Sequence, residues 1–115
     1  MLNQVVLVGR LTKEVEVKEL EDGKKVGYIN LAIPRSLKNA DGEYETDFIN
    51  CTLWNGVASS VSDYCKKGDI VGVKGRLQSE SIDDEDGTKK YVINLVAEKV
   101  TFLSSRSDKI TEEDK

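Results

Sequence analysis

Two large aromatic residues, Phe48 and Trp54, stand six positions apart in the alternating stretch Thr46 to Trp54. Ile49, Cys51 and Leu53 are apolar, so in an extended strand they share one face and Phe48, Asn50, Thr52 and Trp54 share the other. Six residues at roughly 3.3 Å each separate the rings by about 20 Å, which suits planar groups along one elongated ligand. A nucleobase stacks on such a ring for about 1 to 3 kcal/mol whatever its identity, because every base has a π-face. Tyr28 and Asn30 fall on the non-core side of the preceding strand and extend the same surface. The alternation fits a second reading equally well, in which a helix, a loop or another subunit covers both rings.

Other chemistries fare worse. The chain has no histidine, and Cys51 and Cys65 have no activating neighbour in sequence, so general acid–base, nucleophilic and metal-assisted catalysis lack their usual residues. Asp83, Asp84, Glu85 and Asp86 form an acidic run without the alternate spacing and distal glutamate of a calcium loop, and read as a solvated loop. We expect no catalytic residues, no metal and no cofactor. Cations could accompany the rings: Lys74 and Arg76, with Gln78, alternate away from Val71, Val73, Gly75 and Leu77, and Arg10, Arg35, Lys66 and Lys67 complete the candidate phosphate contacts. With 17 basic and 21 acidic residues the net charge is −4, which argues against gripping duplex DNA by bulk electrostatics but permits a basic groove.

The elements that must position these groups follow from period and punctuation. Asn3 to Leu11 is apolar on both faces, which predicts a first strand covered by a partner. Val15 to Leu20 alternates and leads into Asp22-Gly23, a hairpin signal, after which Lys25 to Ile33 returns. Pro34 predicts the end of that strand, and Arg35 to Glu45 a long polar loop. Thr46 to Trp54 is the third strand. Val57, Val61 and Tyr64 then take helical spacing, with Asn55 as candidate cap and Lys66-Lys67-Gly68 as the stop. Ile70 to Ser79 and Tyr91 to Leu103 are the last two strands, joined by a loop around Asp86-Gly87.

Five strands with one helix between the third and fourth match an all-β, Greek-key OB-fold barrel, and Gly9, Gly72 and Gly75, which would allow its bends, favour it over the alternative of an open sandwich. At 115 residues there is room for one such domain, expected over 1–103, with a polar tail over 104–115. No apolar run approaches a membrane span or a leader, and two cysteines make no disulfide scaffold, so a cytoplasmic protein is expected.

Four blocks make the sequence familiar: Leu2-Asn3-Gln4-Val5-Val6-Leu7-Val8-Gly9-Arg10-Leu11, Asp47-Phe48-Ile49-Asn50-Cys51-Thr52-Leu53-Trp54, Tyr64-Cys65-Lys66-Lys67-Gly68-Asp69 and Gly75-Arg76-Leu77-Gln78. In order and with little gapping over residues 1–103, they resemble the bacterial single-stranded DNA-binding protein family. The resemblance implies a homotetramer of OB-folds that wraps single-stranded DNA in replication, recombination and repair, with the first strand helping to pair subunits. It places stacking aromatics at Phe48 and Trp54. It also places them at Leu37 and Ile82, where this chain is aliphatic, and it puts basic residues where Glu80 and Ser81 stand, so weaker binding than a typical member's is expected. Relatives often end in an acidic tip closing on Pro-Phe that recruits other proteins; Thr111-Glu112-Glu113-Asp114-Lys115 does not match it, which leaves such recruitment in doubt. The rival of another class is an OB-fold that assembles with proteins and binds DNA weakly or not at all.

Overall fold

A computed structural model describes residues 1–105. Six strands and one helix follow in the order β1 (Val5–Leu11), β2 (Glu16–Glu19), β3 (Lys25–Lys38), β4 (Tyr44–Trp54), α1 (Asn55–Tyr64), β5 (Ile70–Asp83) and β6 (Lys89–Ser104). The sheet runs β1-β5-β6-β4-β3-β2, and a further pairing of β1 with β3, Arg10 opposite Ala32 and Leu11 opposite Leu31, closes it into a barrel. Since β2 pairs with β3 on the far side of that closure, β1 and β2 are two halves of one strand. This is the five-stranded barrel with its helix before the fourth strand.

Period-2 alternation decides what goes inside. Ile29, Leu31, Cys51, Leu53, Val71, Val73 and Leu95 are buried inside, and Ala58 and Val61 of α1 join the core. Full burial of each valine, leucine or isoleucine among them contributes about 1.5 to 3 kcal/mol. Gly75 sits where the β5–β6 register slips; a Cβ there would collide with the Val96 carbonyl, so the close strand approach requires glycine.

Three hairpins share one turn. In Leu20–Lys24, Asn39–Glu43 and Asp84–Thr88 the first residue's amide donates to the last residue's carbonyl, the glycine amide donates to the first residue's carbonyl, and Gly23, Gly42 and Gly87 take φ of 85°, 81° and 85°. Each glycine follows an aspartate, and the left-handed conformation favours glycine there.

Several sequence expectations need correction. The strand does not end at Pro34: Pro34 stands opposite Thr46 and β3 runs on to Lys38, so the expected loop Arg35 to Glu45 is mostly a hairpin closed at Asn39–Gly42. Likewise β5 continues past Ser79 to Asp83 and β6 begins at Lys89, two residues before Tyr91. Asn55 is not a side-chain cap; it has φ of 50° and its Oδ1 accepts from the Lys25 amide, while Trp54 holds the N-cap position. The helix has no basic residue in its last turn, Lys66 and Lys67 lying beyond Cys65. Ser104 closes β6 instead of opening a tail, and the rest of the expected tail, from residue 106, lies outside the described residues.

Candidate nucleic-acid interface

The surface is built on β3 and β4, whose pairing sets Tyr28 opposite Thr52, Asn30 opposite Asn50, Ala32 opposite Phe48 and Val26 opposite Trp54. Inward neighbours are core, so these residues face out: Phe48 is 64% exposed, Trp54 39% and Tyr28 45%. Among the described residues neither the helix nor a loop covers the rings, so of the three covers that the alternation left open only another subunit is untouched by this geometry. Polar side chains hold the middle of this face. Asn30 Nδ2 donates to Asn50 Oδ1 at 2.8 Å, and Thr12 Oγ1 donates to Asn30 Oδ1 at 2.7 Å.

Registers extend the surface around the barrel. Arg76 faces Val96, which adjoins Thr52 and then Tyr28, so Arg76 lies three strands from Tyr28, about 14 Å around the curve at roughly 4.8 Å per strand. Arg10 stands opposite Ala32, itself opposite Phe48, and its guanidinium donates to the Gly68 carbonyl at 2.6 Å. Lys66 and Lys67 join the same end, because Gly68 donates its amide to the Leu11 carbonyl and the Lys67 amide donates to Glu14 Oε1. Lys74 is set apart: it pairs with Val6 and Lys99, off the row that carries Tyr28 and Arg76.

The pairing of β4 with β6 is parallel and covers two rows alone, Cys51 with Leu95 and Thr52 with Val96. Beyond it the β3–β4 and β5–β6 hairpins diverge and leave a groove of about 770 Å³, lined by Phe48, Asn50 and Tyr28 together with Leu77, Ile93 and Leu95. Leu37, 80% exposed, rides on the first hairpin, and Ile82, half exposed, near the tip of the second. Arg35, expected to meet phosphate, is instead paired with Asp47 and Glu45, each at 2.8 Å.

Two exposed apolar side chains on the second hairpin escaped sequence reasoning. Tyr91 and Ile93 share the parity of Leu95 and Ala97, with Tyr91 75% exposed. That continuous alternation was the available signal. Lys38 lies over the Tyr44 ring, 5.6 Å from its centroid, at the end of the first hairpin. Among the described residues no cluster of histidine, cysteine or acidic side chains could hold a metal.

A small barrel with exposed rings around an open groove is an OB-fold built for binding. The chain belongs to the single-strand binding protein family, whose model matches residues 2–103. It is 45% identical over 106 residues to single-stranded DNA-binding protein B of Bacillus subtilis (strain 168), spanning 92% of this chain and 94% of that protein. It is 44% identical over 107 residues to the single-stranded DNA-binding protein of Bacillus cereus, and 44% over 108 residues to single-stranded DNA-binding protein 3 of Listeria innocua. The matches cover 63% and 68% of those two longer proteins.

Proposed function

We propose that the chain binds single-stranded DNA without sequence preference, and protects it during replication, recombination and repair in the bacterial cytoplasm. The observation that carries this is the exposure of Phe48, Trp54 and Tyr28 on one sheet surface that runs into the groove. Stacking on rings tolerates any base, and cations at Arg10, Arg76, Lys66 and Lys67 would meet phosphates as the strand passes. Leu37 and Ile82 can pack against bases without offering a π-face. Membership of the family and the printed names of the relatives support the same reading. Binding, not catalysis, is the activity proposed, and among the described residues no helix is long and apolar enough to cross a membrane.

The binding unit proposed is a homotetramer. Val6 and Val8 lie on the outward face of β1 and are 68% and 53% exposed, an apolar strip that a neighbouring copy would cover. Competition tests the function: labelled oligo-dT should be displaced by oligo-dC and mixed-sequence single strands at similar concentrations, and by duplex only at far higher ones. Equal displacement by duplex would overturn the proposal.

A further inference from the structure

The β3–β4 hairpin loses its backbone ladder where it leaves the barrel. Pairing is regular to Pro34 opposite Thr46, then lapses until Lys38 opposite Tyr44, so Arg35, Ser36 and Leu37 together face Glu45 alone. Proline offers no amide to restore it.

Side chains bridge the gap. Arg35 Nε donates to both Asp47 oxygens at 3.2 Å, Nη2 donates to Asp47 Oδ1 at 2.8 Å, and Nη1 donates to Glu45 Oε2 at 2.8 Å. The other Glu45 oxygen accepts from Asn39 Nδ2 at 3.1 Å, and Asn39 Oδ1 accepts the amides of Asp41 and Glu43 at 2.9 and 3.0 Å. One chain of bonds therefore runs from Asp47 through Arg35, Glu45 and Asn39 to the turn. The planar guanidinium suits this, since it can face two carboxylates at once where an ammonium cannot. Its one positive charge is outweighed by the two carboxylates, so the group carries net negative charge toward an approaching phosphate.

We propose that Arg35 is a positioning residue: with Asp47, Glu45 and Asn39 it fastens the β3–β4 hairpin and fixes the hollow lined by Leu37, and it makes no phosphate contact when DNA binds. This rests on the single-stranded DNA-binding reading and assigns Arg35 a role different from that of Arg10 and Arg76. The hollow, about 500 Å³, is lined by Ile33, Arg35, Leu37 and Asp47, so the clamp sets where Leu37 can meet a base.

Two measurements on the full chain decide it. In amide hydrogen exchange without DNA, Arg35→Ala should speed exchange at Asp41 and Glu43 by about tenfold or more, with amides of the β1–β5 ladder as the unmoved reference. Arg35→Lys should recover that protection only in part. In oligo-dT binding across a salt series, Arg35→Ala should keep the parent's slope of log affinity against log salt, whereas a residue neutralising one phosphate on a single strand lowers it by about 0.7. Unchanged turn exchange in Arg35→Ala, or a slope reduced by that amount, overturns the proposal. If the parent itself does not bind oligo-dT, the functional reading fails and the exchange result alone judges the clamp.

Discussion

Cys51 illustrates how a residue's surroundings settle its chemistry. It is 1% exposed between Ile29 and Leu95, and burial pushes its thiol up to about 11; Cys65 is raised as well, by burial first and by Asp69 second. Neither is an accessible nucleophile. A thiol whose folded pKa lies above its unfolded value favours the native state fully below the unfolded pKa, and loses that contribution as pH rises through the folded one. The stability advantage of the parent over Cys51→Ala should therefore hold constant to about pH 8 and shrink between roughly pH 9 and pH 11, by at most about 3 kcal/mol. Urea unfolding of both proteins across that range measures it, and a parallel pair of curves would show that the thiol titrates alike in the folded and unfolded states. Asp47 shifts the other way, held below its ordinary value by the hydrogen bond from Arg35, so the clamp persists at neutral pH.

Among the elements, β5 and β6 show what glycine does and what sequence could reveal. Gly75→Ala drives a methyl into the Val96 carbonyl and should cost about 1 to 3 kcal/mol, lowering the melting temperature by roughly 4 °C or more. Gly56→Ala, in α1 with open space at its Cβ, should be neutral or stabilise by up to about 1 kcal/mol. Calorimetry on both variants checks the pair; equal melting temperatures would mean that the bulge relaxes. The alternation of Lys25 to Ile33 and Thr46 to Trp54 was legible because one face is buried and the other is not. The ends of β3, β5 and β6 were not, because the hairpins project beyond the barrel with no buried face to impose a period: Ser79 to Asp83 is exposed throughout. Pro34 misled because a hairpin can continue where a ladder bond is missing, and a third Asp-Gly, Asp41-Gly42, was the overlooked sign that it does. Asn55 was misread because its side chain bonds across to Lys25 instead of along its own helix.

For the whole molecule, a net charge of −4 leaves little bulk attraction for a polyanion, so the proposed binding rests on local rings and a few cations, with the proposed tetramer multiplying them. The assembly is tested by light scattering: the parent should show a mass near four chains, and Val8→Glu, which puts a charge on the outward strip of β1, should lower it. A parent that remains monomeric at micromolar concentration would remove the structural basis for wrapping. In the proposed complex, bases stack on the face carrying Phe48 and Trp54. Trp54 is the chain's single tryptophan, so its fluorescence reports that face without a label. Titrating the unmodified protein with oligo-dT should quench the emission progressively and saturate at the stoichiometry found independently by anisotropy of a labelled strand. Saturable binding by anisotropy with Trp54 emission unmoved would contradict the account, because the strand would then pass elsewhere on the barrel.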